Sequence, residues 1–374
     1  MRAAGVILKP WWRAAWLWCL LLVSLPAAAQ IEIVDQAGRT VRLAEPARRI
    51  IFSEPGDFTM LAMLDENPAR RIVAWNRWRL DQHTLNQWRS IDPEAFDRIT
   101  QMSLDGPQNL NAEALIAHAP DLVVLDHFFG SAKQAVSQLE QAGIPVAILT
   151  LEANLRLRHP TEGIEKLAVL IGREERGKEV GAFIRERLDR VARRVARIKA
   201  EGGPLPTVLM EPHAGSGPCC MSMGEGRSMG DLVVLAGGRL IGSEIVDGMA
   251  GQLSAEYVIA SDPAVYIGTG GQHMKARGGL LLGPDVDAAT SRASLERVLR
   301  RVGLAQTRAV KEKRAHGIWH SGFSIVNLEL IATWLHPAEF QDVDPAATLA
   351  EIDRRFMAKS LTGTFWTSLA PAKD

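Results

Sequence analysis

The chain has no net charge. Its 374 residues carry 43 Lys+Arg and 43 Asp+Glu. Without a basic excess nothing supports nucleic-acid binding, and without an acidic run nothing points to a charged, disordered tail. Low-complexity tracts are absent, as are repeats of roughly 20–50 residues, which excludes repeat architectures. Several catalytic signatures are missing too. There is no His-Glu-x-x-His motif, no Gly-x-x-x-x-Gly-Lys-Ser/Thr phosphate loop, and no dinucleotide fingerprint followed by a ribose-binding acid. No enzyme and no resident cofactor or metal is therefore expected. A metal-dependent hydrolase or a chelatase is the competing class, and it would have to declare itself by turnover.

Cysteine is scarce, with three in the chain. Cys19 falls in the first thirty residues, which read as a targeting segment. Arg2, Lys9 and Arg13 supply a positive start, Ala14 to Leu25 a short apolar run, and Ala27-Ala28-Ala29 a small-residue cleavage site before Gln30. The run is too short for an anchor, since a spanning helix needs about 20 apolar residues. Residues 1–29 are thus expected to be a cleaved signal peptide and the rest a soluble, periplasmic protein. Cys219 and Cys220 remain, adjacent in sequence and exported to oxidising conditions. Neighbouring Cα atoms lie about 3.8 Å apart, short of the usual disulfide span, so a bond between them would be strained and reducible. The pair is read as two small buried apolar side chains, with a vicinal disulfide left open.

Apolar residues make up 47% of the chain, enough for cores in two lobes. Short apolar runs alternate with helical patterns. Strands are expected at Arg49–Ser53, Arg71–Trp75, Asp121–Leu125 and Ile144–Leu149, with helices at Asp57–Leu64, Asn111–His118 and Ser131–Gln141. A second series has strands at Thr207–Met210, Ala264–Gly268 and Arg314–His320. Its helices are expected at Met229–Ala236, from Ser254, at Leu295–Val302 and at Ser324–Leu335. Such alternation predicts open, mostly parallel α/β sheets. Between the two series, Val180, Ile184, Leu188, Val191, Val195 and Ile198 line one face of a helix over Glu174–Ala200. At 1.5 Å per residue it is roughly 40 Å long. The fold expected is α/β, with two Rossmann-like lobes (residues 30–172 and 202–374) joined by one rigid helix (173–201) and a ligand cleft between them.

Several stretches around that helix resemble one family. They are Val34-Asp35-Gln36-Ala37-Gly38-Arg39 with Val41, Pro46 and Arg49-Ile50-Ile51; Asn111 to Ile116 followed by Ala119-Pro120-Asp121-Leu122-Val123-Val124; and Gln252-Leu253-Ser254-Ala255-Glu256 leading to Asp262-Pro263. Together they are similar to the ABC-importer binding proteins with a single bridging helix, which serve iron–siderophores, cobalamin, haem and some metal or oxyanion ligands. The resemblance covers nearly the whole mature chain. It implies one permease-docking glutamate per lobe, matched by Glu113 and Glu256. It also implies an inner-membrane ABC permease as partner. A monomer is expected.

Ligands of open α/β sheets bind beyond the carboxyl ends of strands. That rule selects the candidate ligand residues. Trp75 at the end of the second strand, with Arg77, Trp78, Arg79 and His83 beyond it, combines flat walls with forked donors for anionic oxygens. The Gly-rich segment from Glu211-Pro212-His213 to Arg227 contributes Cys219 and Arg227. His273, Lys275 and Arg277 share the loop after the Ala264 strand. His320 ends the Arg314 strand. His316, on the same strand, would lie roughly 13 Å away at 3.3 Å per residue and is read as structural. This set suits an anionic metal chelate, an iron(III)–siderophore first. Molybdate or another oxyanion, or another metal complex such as cobalamin or haem, is the alternative.

Overall fold

The computed structural model describes residues 30–76, 82–104, 106–151, 159–225 and 229–369. The leader expected over residues 1–29 lies outside them. An antiparallel hairpin, β1 (Ile31–Val34) and β2 (Thr40–Leu43), opens the described chain. Asp35 ties it down, accepting from the backbone N–H groups of Ala37, Arg39 and Ile148. Burial opposes the charge on Asp35. Those donors and the Arg39 guanidinium outweigh burial and hold its pKa below the ordinary value.

The first sheet contains β3 (Ile50–Phe52), β4 (Ile72–Asn76), β5 (Thr100–Met102), β6 (Leu122–Leu125) and β7 (Val146–Ile148). All are parallel, in the order β5-β4-β3-β6-β7. Six helices accompany it: α1 (Asp57–Leu64), α2 (Gln82–Arg89), α3 (Pro93–Asp97), α4 (Ala112–Ile116), α5 (Lys133–Gln141) and α6 (Glu162–Leu170). Both faces of the sheet are buried, as parallel sheets require. Ile50 and Phe52 point into one cluster, while Ile51 points into the other.

Next comes α7 (Glu174–Ala200), 27 residues without interruption. Val180, Ile184, Val191 and Val195 are buried along it, as the spacing predicts. Arg187 is buried as well. Its guanidinium lies 3.5 Å from the centroid of the Phe183 ring and pairs with Glu351 at 2.5 Å.

The second sheet is built from β8 (Thr207–Glu211), β10 (Arg239–Leu240), β12 (Val265–Gly270), β14 (Ala315–Trp319) and β16 (Trp366–Ser368), in the order β10-β8-β12-β14-β16. The first four are parallel and β16 closes the edge antiparallel. Two small ladders stand apart: β9 (Met221–Met223) with β11 (Ala250–Gln252), and β13 (Gly283–Pro284) with β15 (Gly363–Thr364). The helices are α8 (Gly230–Leu235), α9 (Ala255–Ser261), α10 (Ala288–Leu299), α11 (Arg308–Lys311), α12 (Ser324–Leu335) and α13 (Pro345–Phe356).

One expected helix moves. The Leu295–Val302 pattern is only the end of α10, which begins at Ala288 because Asp287 caps it by accepting from Thr290 N–H at 2.8 Å. Its first turn, Ala-Ala-Thr-Ser, carries no apolar period, so the pattern alone misses it.

The inner faces of both sheets drain into one apolar cluster. It runs from Ile50 and Phe52 through Val180, Val191 and Val195 to Val208, Val265 and Ile331. α13 crosses back to touch α1, and its Phe356 meets Phe183 of α7 at 5.2 Å between ring centroids. Lobes that share a close-packed core cannot swing far without opening voids, so the coupling here is stiff. Among the described residues no helix is long and apolar enough to cross a membrane.

Candidate ligand site

In the second sheet the order reverses between β8, the first of its strands, and β12, the third, with β10 laid on the outer side of β8. A crevice opens at such a reversal beyond the carboxyl ends of the strands, and it is the usual ligand seat of an open α/β sheet. Three histidines stand there, one after each of three adjacent strands: His213 after β8, His273 after β12 and His320 after β14. His213 Nδ1 lies 3.0 Å from His273 Nε2. The ring centroid of His213 is 5.1 Å from that of His273 and 4.5 Å from that of His320. All three are partly exposed.

The backbone fixes them. His213 sits at φ +47°, a left-handed conformation that histidine tolerates better than most residues. Its N–H donates to Thr269 Oγ1 at 3.0 Å, and Ala214 N–H donates to Thr269 O at 2.8 Å. His320 N–H donates to Gly270 O at 2.9 Å. Gly271 makes room for His273: a Cβ there would stand 2.8 Å from His273 Nδ1. Below the site, Glu211 is buried and neutralised. Arg301 holds both its oxygens, at 2.9 and 2.5 Å, and Tyr266 donates to it at 2.6 Å. Burial, and then the Glu211 charge, push the Tyr266 phenol well above its ordinary pKa, so it stays a donor.

The strand ends of the first sheet are different. Ser53 Oγ accepts from Asp126 N–H at 2.8 Å. Asn76 donates to Ser53 O and Leu104 O, both at 2.9 Å, and accepts from Leu104 N–H at 3.1 Å. Asp126 accepts from Thr150 Oγ1 at 2.6 Å and from Phe128 N–H at 2.9 Å. Exposed His127 lies against this network, with Nδ1 3.0 Å from Asp126 Oδ1.

α2, which follows the carboxyl end of β4, reaches across to the β13–β15 ladder of the second lobe. Gln87 Nε2 donates to Asp285 Oδ1 at 3.0 Å and to Thr362 O at 2.8 Å, and His83 Nδ1 lies 3.2 Å from Asp285 Oδ2. From the same ladder Pro284 O accepts from Gln272, the neighbour of His273, at 2.9 Å.

The structure brings two of the expected ligand residues together, His273 and His320, and adds His213. It places others elsewhere. Trp75 is 1% exposed, 5.3 Å from Phe58 and 5.5 Å from Trp88 between ring centroids, so it is a core residue rather than a ligand wall. The reason is that Trp75 lies inside β4 with its side chain on the core face, beside Phe58, Trp88 and Phe96. His83 is exposed and faces Asp285 in the inter-lobe contact. Lys275 and Arg277 are exposed on the His273 segment. Cys219 packs against the apolar cluster that holds Leu253 and Val258. It is bonded to Cys220, so the reading of two separate thiols is corrected to a vicinal disulfide. Arg77, Trp78, Arg79 and Arg227 lie outside the described residues. His316 is buried, stacked on Trp334 at 4.2 Å, with Nδ1 2.7 Å from Ser368 Oγ, in keeping with a structural role.

Glu113 and Glu256 occupy equivalent places. Each is exposed, one residue into a helix whose preceding residue caps it. Asn111 Oδ1 accepts from Ala114 N–H at 3.1 Å, and Ser254 Oγ from Tyr257 N–H at 3.1 Å.

A periplasmic binding protein family model matches residues 53–317. The TroA-like periplasmic binding protein FepB of Veillonella parvula has a similar structure. Its TM-score is 0.81 at 26% identity, over 91% of this chain and all of that one. The Haemophilus influenzae protein MolA, bound to molybdate, superposes with a TM-score of 0.63 at 20% identity, over 89% of this chain and 99% of MolA. Helicobacter pylori CeuE in complex with nickel and histidine gives 0.60 at 19%, over 88% and 95%. Both of these likenesses concern the fold. No curated protein matches the chain. With the model spanning most of both lobes, the chain belongs to the periplasmic binding protein family, the solute-binding components of ABC transporters.

Proposed function

We propose that the protein captures an anionic metal chelate, an iron(III)–siderophore, and delivers it to an inner-membrane permease. The observation that carries this reading is the group of three imidazoles at the switch point of the second lobe. Imidazole nitrogen is a good ligand for iron, copper, nickel and zinc and, when protonated, a donor to anionic oxygen. A chelate offers both, a metal centre and charged oxygens around it. Lys275 and Arg277 on the same segment, with Arg77, Arg79 and Arg227, would balance the remaining ligand charge. Neighbours of this fold bind molybdate and nickel–histidine, which is in keeping with a seat for metal-containing cargo.

A second reading, a small oxyanion such as molybdate, has one observation in its favour. Trp75 is committed to the core, and that removes one of the two aromatic walls expected for a bulky chelate. Titration of the purified protein with ferric siderophores and, separately, with molybdate, followed by tryptophan fluorescence, decides between them. Saturable quenching by a ferric chelate, lost in His273→Ala and His320→Ala, is the expected result. Response to molybdate alone would overturn the siderophore assignment.

Docking is assigned to Glu113 and Glu256. Two exposed carboxylates at equivalent helix starts can report on lobe geometry to arginine pockets of a permease. The backbone N–H of Glu256 and the Ser254 hydroxyl hold the Glu256 carboxyl below its ordinary pKa, so it stays charged. Replacing both with Ala should leave ligand affinity intact and abolish most uptake. Unchanged uptake would remove the assignment.

A further inference from the structure

The surroundings of the vicinal disulfide point to the start of α9. Disulfides stabilise folds chiefly by closing loops, with an effect that grows with loop length. Cys219 and Cys220 are adjacent and close no loop of chain, so the bond adds almost nothing to global stability by that route. Its effect has to be local.

What it touches is the start of α9. Cys220 and Leu253 exchange both backbone hydrogen bonds, Leu253 N–H to Cys220 O at 2.9 Å and Cys220 N–H to Leu253 O at 3.4 Å. That pair extends the β9–β11 ladder by one step and sets the position of Ser254, the cap of α9. Cys219 packs from the other side. A Cβ at Gly303 would lie 3.0 Å from Cys219 Sγ and 3.1 Å from Ala255 Cβ, so sulfur, glycine and the first residue of α9 form one layer. Both cysteines belong to the apolar cluster that holds Leu253, Val258 and Leu304. Cys220 is fully buried, whereas Cys219 is partly exposed. Glu256 lies in the turn so braced.

We infer that the Cys219–Cys220 disulfide is a redox-sensitive brace that orders the first turn of α9. The reductant would be a dithiol protein of the thiol–disulfide exchange class. A thiolate of that partner attacks Sγ of Cys219, the less buried of the two, forming a mixed disulfide and releasing the Cys220 thiolate, which takes up a proton. The second thiol of the partner then displaces Cys219, which takes up the other proton. The partner leaves oxidised, and two electrons and two protons have passed to the pair. The consequence for transport rests on the docking role proposed for Glu256, but the brace itself does not.

Hydrogen exchange followed by mass spectrometry tests it, on the purified protein before and after treatment with dithiothreitol under native conditions. Reduction should add two thiols and leave the unfolding temperature nearly unchanged. It should speed exchange of the Leu253, Tyr257 and Val258 amides at least tenfold, with α12 unaffected. Cys220→Ser should exchange at the fast rate with or without reductant. Equal exchange in both redox states overturns the inference, and so does a bond that yields no thiols until the protein is denatured. Uptake is measured in parallel. Faster exchange with undiminished uptake upholds the brace and counts only against the docking role of Glu256.

Discussion

In the first lobe the polar groups at the strand ends are turned on one another. Ser53, Asn76, Asp126 and Thr150 hydrogen-bond among themselves and to the backbone. In the second lobe the corresponding positions hold His213, His273 and His320, partly exposed and grouped within 4.5–6.3 Å between ring centroids, edge-on or tilted to one another. Both sheets are open and chiefly parallel, and both have a switch point. A satisfied network makes a firm floor, while imidazoles at a crevice make a seat. Fold repetition therefore does not imply that the two lobes share the ligand equally. Among the described residues the chemistry lies in the second lobe, and the first reaches it through α2.

The largest expected effect separates floor from seat. Trp75→Ala should cost about 3–5 kcal/mol of stability, as for other buried tryptophans. It should leave ligand affinity nearly unchanged wherever the protein remains folded. His273→Ala or His320→Ala should do the reverse, weakening binding about tenfold or more, as loss of one strong polar contact does, with a small change in the urea midpoint. If Trp75→Ala abolishes binding in folded protein, the two lobes are not divided as described.

A smaller effect sets one buried histidine of the second lobe, His316, against the three at the crevice. Burial, and then the nearby Arg314 charge, lower the His316 pKa from 6.5 to about 3. The unfolded chain therefore binds a proton that the folded protein refuses between those values. The stability that neutral His316 contributes is complete above about pH 6.5 and falls as the pH drops toward 3, by up to about 1.4 kcal/mol per unit for one group. His316→Gln should flatten that slope relative to the wild type in urea unfolding between pH 4 and 6.5. Parallel curves would mean that His316 is not the neutral, buried residue that its stacking on Trp334 indicates.

Some of this contrast is legible in the sequence. The apolar face of α7 repeats at helical spacing over 27 residues, and buried parallel strands read as short apolar runs, so the two-lobed plan could be written down. The face of β4 that Trp75 takes decides whether it lines a site or fills a core, and local pattern at the end of a strand does not resolve it. Within the Gly-rich segment, sequence pattern does not single out His213, because no motif surrounds it. Its signal is position, directly beyond β8, and becomes visible only when strand order shows that β8 borders the switch point. The inter-lobe contact was also illegible, since Gln87 and Thr362 are 275 residues apart.

That contact carries the smallest expected effect and asks whether the lobes communicate at all. Gln87 and His83 bind Asp285 and Thr362 across the cleft mouth, on exposed side chains, where such contacts contribute about 0.2–1 kcal/mol each. A contact made equally in open and closed states shifts nothing, and only a difference between the states changes ligand affinity. α2 follows the carboxyl end of β4, and Gln272 links His273 to the same ladder. Lobe closure on a bridging ligand should therefore favour the contact. Gln87→Ala should then weaken binding about two- to fivefold, with the change in the dissociation rate measured by stopped-flow fluorescence. An unchanged dissociation rate would make α2 a passive neighbour. The seat in the second lobe would then hold its ligand without help from the first.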